Sequence, residues 1–304
     1  MDVVAAVMRD LHLSAAGYRR LDLAAPWAIS FGQGGLRGIH IVTKGRCEVV
    51  FDHGPVQQLD QGDLAIAPRA DAHILRSPGA TRTPVTSAAD LAAQKTNGRV
   101  RLGGDGEKTI VLCGAFAFGE AGHPALAGLP RIVHVRGTKG RPPRWLRGYI
   151  DALMTEAQDV GPGSDVVMAR LSAAIVTRAI RDDIRCASDS GWLRGLSDPS
   201  IAKALGAMHD DRAKPWTVAT MARNVGLSRA VFAARFNELV GEPPMHYLYL
   251  LRMQRAGQML REGKAGLGEI ADAVGYQSEA ALSAAFKRHA GMSPGGFKKN
   301  MLRA

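Results

Sequence analysis

Two stretches near the end of this 304-residue chain place polar side chains at helical spacing. In RAVFAARFNELVG, Phe232, Phe236 and Leu239 stand four and three residues apart, which puts them on one helical face. The opposite face presents Ala230, Ala233, Ala234 and Asn237, with Arg229 and Arg235 at its margins. In EAALSAAFKRHAG, Leu282 and Phe286 point inward and leave Ala280, Ser283, Ala284 and Lys287 outward, with Glu279 at the start and Arg288 alongside. Such groups suit recognition of a nucleic acid. An alanine methyl can touch a thymine methyl, Glu279 can accept from a cytosine amine and Arg229 can reach a guanine. Arg235, Arg252, Lys287 and Arg288 suit phosphate contacts, which position a duplex without reading it. Few groups remain for bidentate base contacts, so strong salt dependence and modest discrimination per monomer are expected.

The flanking residues predict the elements that hold these faces. Thr217 can cap a helix whose Val218, Met221, Ala222 and Val225 face a core; Gly226 can turn left-handed, and Ser228 caps the next helix. Gly241 ends that helix and Pro243-Pro244 prevent its continuation. The pattern returns as Ile270, Ala271 and Val274, then Gly275, the cap Ser278, Leu282 and Phe286, Gly291 and Pro294. Phe to Gly is five residues in both copies, Gly to Pro three, and an aromatic (Tyr247, Phe297) follows three later. Two helices joined by a glycine turn make a helix-turn-helix, whose second helix enters the major groove. Between the copies, Tyr249, Met253, Ala256 and Leu260 predict a linking helix of about fourteen residues, roughly 21 Å long. That length could hold the two recognition helices near the ~34 Å repeat of the major groove.

Charge agrees with this reading. The chain carries a formal +11 with a pI near 9.9, pointing to a polyanionic partner. Residues 215–304 hold twelve Lys and Arg against six Asp and Glu, while the rest holds 27 against 22. Cys47, Cys113 and Cys186 lack C-x-x-C spacing, which argues against a disulfide framework or structural zinc and fits a reducing cytoplasm. The N-terminus lacks a signal-peptide core and no run of 18 apolar residues exists, so no membrane segment is expected.

From about 18 to 136, short β-rich runs between turns suggest an all-β sandwich or small barrel, with 79–108 as a long loop. GGDGEKTIVL is not a phosphate-binding loop: Glu107 stands where glycine is required before Lys108, and a β-rich run follows. Two helices come next, the second with Val167, Leu171, Ala174, Ile175 and Ala179 on its packed face. The polar stretch CASDSGWLRGLS reads as a linker. Asp198-Pro199 then opens a helix with Ile201, Leu205 and Met208 buried.

The region 215–298 resembles the AraC/XylS transcription regulators, on GLSRAVFAARFNELVGEPPMHYL, Arg252, Met253, Ala256, Leu260 and IADAVGYQSEAALSAAFKRHAGMSPGGF. Upstream, IHIVTKGRCEVV, GDLAIAPRADAHIL, VLCGAFAFGEAGHP and WLRGLSDPSIAKALGAMHDDRAKPW are similar to the subgroup with a cupin-like effector domain. The resemblance implies an α+β two-domain fold, a cupin-like β-barrel plus helices followed by an all-α double helix-turn-helix. It places a sensor domain at 1–140, a helical dimerisation and linker region at 141–197 and the DNA-binding domain at 198–304. The family usually carries larger polar side chains on the recognition faces, often Arg at the position of Ala284, and this chain departs there.

In metal-binding cupins, His40, Glu48 and His73 would fill three ligand places, but Val42 occupies the place of a second histidine. No metal, no cofactor and no catalytic role are therefore expected. His40, Glu48 and His73 would instead line an effector pocket, or the two histidines would be core residues with satisfied hydrogen bonds. Cys47 and Cys113 would be buried and inert, or a redox pair. The implied protein is a cytoplasmic, nucleoid-associated activator that binds promoter DNA as a homodimer, meets RNA polymerase and answers to a small effector. The alternatives are a cupin metalloenzyme fused to a helical domain and an architectural DNA binder that ignores effectors.

Overall fold

The computed structural model describes residues 3–11, 13–32, 36–93, 99–118, 126, 128–185 and 191–301. Cys186 lies outside them. The chain forms two compact units, one of Leu11–Ala121 with Pro130–Ser188, the other of Met1–Asp10, Gly122–Leu129 and Asp189–Ala304.

The first unit holds two sheets. One contains β1 (Leu13–Ala24), β3 (Arg37–Lys44), β6 (Leu64–Ala67), β9 (Arg99–Gly103), β10 (Lys108–Phe118) and β11 (Val133–Val135), in the order β11-β6-β3-β10-β1-β9. The other contains β2 (Ala28–Phe31), β4 (Arg46–Phe51), β5 (Gln57–Asp60), β7 (His73–Arg76) and β8 (Thr86–Ser87), in the order β5-β4-β7-β2-β8. The expected barrel is thus corrected to two separate sheets: among the described residues no ladder joins them into a closed ring. Their shared core includes Trp27, Ile29, Val42, Val49, Leu59, Leu75, Val111 and Cys113.

Two helices, α3 (Arg144–Gln158) and α4 (Ser164–Arg185), pack on β1, and α4 also meets β11. With material on both faces, β3 and β6 are buried along nearly their whole length, as strands covered on both sides must be. On β1, Tyr18 shares a 2.8 Å hydrogen bond with Ser172 of α4, and its ring lies where a Cβ on Gly114 would intrude, at 2.4 Å. The packed stripe of α4 is Met168, Ser172, Ile175, Val176, Ala179 and Ile180, whereas Val167 is exposed. The expected stripe is rotated because a serine occupies the buried face. The expected loop at 79–108 contains β8, the short helix α2 (Ala88–Ala93) and β9, which adds a parallel edge strand to β1.

The second unit is helical, opening with α1 (Val3–Leu11) and continuing with α5 (Gly191–Gly195) and α6 (Pro199–Asp210). Asp198 caps α6, its Oδ1 accepting from the N–H groups of Ser200 (2.9 Å) and Ile201 (3.1 Å), with Pro199 in the first turn. Then come α7 (Val218–Asn224), α8 (Arg229–Val240), α9 (Pro244–Glu262), α10 (Leu267–Ala273), α11 (Glu279–Ala290) and α12 (Pro294–Met301). The two helix pairs repeat bond for bond at their turns. Gly226 N–H donates to Arg223 O and Leu227 N–H to Ala222 O; Gly275 N–H donates to Asp272 O and Tyr276 N–H to Ala271 O. Both glycines are left-handed, φ +75° and +76°.

Their surroundings differ. A Cβ on Gly226 would meet open space, whereas one on Gly275 would fall 2.3 Å from Ala213 O and 2.8 Å from Arg252 Nη2. Gly226→Ala should therefore cost about 1 kcal/mol, the left-handed penalty alone. Gly275→Ala adds a backbone clash and should cost about 2–4 kcal/mol. Hydrogen-exchange protection in the full chain, of α7 and α8 for the first and of α10 and α11 for the second, measures them; equal losses would contradict this account of Gly275.

Candidate nucleic-acid interface

Each recognition helix begins on a serine cap. Ser228 Oγ accepts from Val231 N–H (3.3 Å) and Ser278 Oγ from Ala281 N–H (3.2 Å). Thr217 and Thr220 form a reciprocal capping box on α7, and the Glu269 carboxylate closes the start of α10 by accepting from Gly266 N–H at 2.8 Å. Gly241 and Gly291, both left-handed, end α8 and α11.

Phe232 and Phe236 bury α8, joined by Val240, while Leu239 is only half-buried. Leu282, Ala285 and Phe286 bury α11. The outward face of α8 shows Ser228, Arg229, Ala230, Ala234 and Asn237, all exposed, with Ala233 half-buried. That of α11 shows Ser278, Glu279, Ala280, Ala284, Lys287 and Arg288, with Ser283 half-buried. Sequence reasoning missed Val231, 50% exposed in the first turn of α8, where its branched side chain extends the alanine surface. Its position between Ala230 and the buried Phe232 was the available signal.

Three residues have other engagements. Arg235 pairs through Nη2 with Asp198 Oδ2 at 2.5 Å, so it holds the carboxylate that caps α6. Arg252 is half-buried, donating from Nε to Arg212 O (2.8 Å) and from Nη2 to Lys214 O (2.9 Å), with its guanidinium beside the Tyr276 ring. Burial draws its pKa down from the ordinary arginine value. The Glu279 carboxylate lies over Gly268, with Oε1 3.0 Å from where that residue's Cβ would stand. By contrast, among the described residues Arg229, Lys287 and Arg288 have no acidic partner within ion-pair distance. In the last turn of α11, Lys287 and Arg288 also sit favourably against the helix dipole.

The linking helix α9 runs nineteen residues, about 28 Å, five more than expected. Tyr247 meets Phe236 of the first pair at 5.9 Å between rings and accepts or donates a 2.9 Å bond with His209. Met253, Ala256 and Leu260 join Ile270, Val274, Leu282 and Phe286 in the core of the second pair.

In the β unit, His40 (β3) and His73 (β7) come together and Glu48 does not join them. The strand pleat turns His73 inward and Glu48 to the opposite face, where its Oε2 pairs with Arg76 Nε at 2.8 Å. His40 Nε2 and His73 Nε2 are 2.8 Å apart, His40 Nδ1 is 3.2 Å from Cys113 Sγ, and His73 Nδ1 is 2.9 Å from Asp71 O. The last bond fixes every proton. A carbonyl only accepts, so His73 Nδ1 donates and a neutral His73 accepts at Nε2 from His40, which accepts at Nδ1 from the Cys113 thiol. Phe31 and Phe51 flank the pair. The three expected pocket residues thus divide between a satisfied buried chain and an ion pair. Among the described residues no three His, Cys, Asp or Glu side chains converge as a metal-ligand set.

Burial, then the neighbouring His73, pushes His40 well below the ordinary histidine value of 6.5, and burial also lowers His73. Burial pushes the Cys47 thiol up to about 12, and burial with Cys47 nearby pushes Cys113 well above its ordinary value. Both histidines are depressed in the folded state, so the unfolded chain binds protons first as pH falls. The β unit should therefore lose stability below about pH 6.5, continuing down to the depressed folded values. Thermal melts between pH 8 and 5 test this, and replacing the pair (His40→Gln with His73→Leu) should flatten that part of the profile.

Comparison with known proteins agrees with both halves. Residues 2–184 match a family model described as Cupin, and residues 221–300 one described as Helix-turn-helix domain. The chain is 35% identical over 306 residues to a protein described as an AraC-like transcription regulator in Streptomyces lividans, covering 98% of this chain and 97% of that one. A similarly described protein of Streptomyces antibioticus is 34% identical over the same shares. The HTH-type transcriptional regulator AlkR of Acinetobacter baylyi is 28% identical, covering 97% and 98%.

Proposed function

The chain belongs to the AraC-type family of sequence-specific, DNA-binding transcription regulators with a cupin-like domain, and on that premise we propose that it is an effector-controlled activator working as a dimer. The observation that carries the DNA-reading part is the pair of capped recognition helices fixed on one linking helix, each presenting an exposed small-residue face. We assign base contacts to the faces of α8 and α11, from Ser228 to Asn237 with Arg229 among them and from Ser278 to Ala284, and phosphate contacts to Lys287 and Arg288. Arg235 and Arg252 join the phosphate set only by giving up the partners described above.

The proposed division is a sensor at 1–140, a dimerising helical region at 141–197 and a DNA-binding domain at 198–304. Support for dimerisation comes from Val160, Val166 and Val167, exposed at 71%, 56% and 43% around the start of α4. An apolar group of this kind marks an interaction surface. An effector can act only by binding two arrangements of the dimer unequally, shifting the population that occupies paired sites and contacts RNA polymerase. No helix among the described residues is long and apolar enough to cross a membrane.

Selection of fragmented genomic DNA by the full chain, followed by sequencing, should enrich paired half-sites one or two helical turns apart. Retention without enrichment would reject the sequence-specific dimer in favour of plain electrostatic binding. On a selected site, Lys287→Ala and Arg288→Ala should each weaken binding across sequences and reduce the salt slope by about 1. Val166→Asp with Val167→Asp should shift the protein toward monomer in sedimentation, with the β unit still folded.

A further inference from the structure

A pocket of about 470 Å³ opens at one end of the first sheet, where β1, β3, β9 and β10 meet. Its charged lining is Arg20, Lys44, Arg99, Arg101 and Lys108 against the single carboxylate of Asp22. Asp22 is already occupied: Arg20 Nε binds its Oδ1 at 2.9 Å and Arg99 Nε binds its Oδ2. Lys44, Arg101 and Lys108 are exposed and have no acidic partner among the described residues. Five cations around one acid repel one another, an arrangement that is relieved when an anion settles among them.

The fold gathers them by two devices. A register shift in β10 between Ile110 and Val111 places Lys44 opposite Ile110 and widens the sheet end beside Lys108. Parallel pairing of β9 with β1 sets Arg99 and Arg101 beside Arg20 and Asp22. That pairing closes on Gly103, left-handed at φ +106°, where any Cβ would strike Ala24 O at 1.9 Å. Half-buried Leu102 and Ile110 contribute an apolar floor.

We propose that this pocket, and not the histidine pair, is the effector site, and that its ligand is a small polyanion bearing at least two negative charges, a phosphate ester or a polycarboxylate. The assignment of an effector rests on the regulatory reading above; the anion site itself does not. The volume suits a metabolite-sized molecule. A single carboxylate would leave most of the positive excess uncompensated. A duplex presents its phosphates on a convex surface, which does not fit a recess.

The test is calorimetry on the full chain at low ionic strength, with inorganic pyrophosphate and with citrate as probes. The proteins are wild type, the double variant Arg101→Gln with Lys108→Gln, and the charge control Lys203→Gln, an exposed site on α6. Wild type and the Lys203 variant should bind at least one probe, and the double variant should bind it about tenfold more weakly or worse. Pyrophosphate alone would assign a phosphate ester, citrate alone a polycarboxylate. No binding by wild type, or equal binding by the double variant, overturns the site. The same preparations are tested on the selected DNA. Loss of DNA affinity in the double variant with probe binding intact would assign these cations to the duplex and also overturn the proposal. Wild type that selects DNA but binds neither probe sinks this inference alone; wild type that binds a probe but selects no DNA sinks the regulatory reading and leaves an anion site.

Discussion

Helix α9 is packed along nearly its whole length: no residue from Tyr247 to Arg261 is exposed. Its first half is fixed through Tyr247, Leu248 and Leu251, its second through Met253, Ala256 and Leu260. A helix gripped on different faces by two small cores cannot rotate about its axis without opening one of them, since close-packed interiors tolerate little displacement. The spacing and relative twist of the two recognition helices therefore follow from one rigid element. The geometry in which the helical unit can meet DNA depends on that constraint.

The local elements of the helical unit were legible in the sequence, and its long-range engagements were not. Glycines, serine caps and phenylalanines act through local backbone geometry, so Gly226, Ser228, Gly275 and Ser278 could be placed without any tertiary information. The engagements of Arg235 and Arg252 could not. Each depends on groups far away in the chain, Asp198 in one case and the carbonyls of Arg212 and Lys214 in the other. The length of α9 was underestimated because its burial on two sides erases the single stripe that periodicity detects, and Pro244 extends it as a first-turn residue where it reads as a stop.

In the β unit, alternation revealed strands but not their partners. His40 and His73 were marked as polar residues of a pocket or a core, and both are buried, yet their contact across the sandwich needs the register of β3 with β10 and of β4 with β7. The same pleat separates Glu48 from them. A ligand-like spacing along the chain carries no information about which side of a sheet each side chain leaves by. The α4 stripe was displaced because hydrophobicity cannot anticipate that Ser172, bound to Tyr18, is a buried position. The region 79–108 was silent because β8 and β9 are short edge strands whose partner strands lie elsewhere in the chain.

The methyl-covered recognition faces have a consequence for how such a protein can change. At Ala230, Ala234, Ala280 and Ala284 no side-chain hydrogen bond exists to be broken, and all four are exposed on helices whose cores lie on the far side. A longer polar residue at any one of them would add a hydrogen-bonding group to that exposed face without disturbing packing or caps. Each face is thus an unwritten template, whose chemistry can be changed one position at a time while the framework stays unaltered.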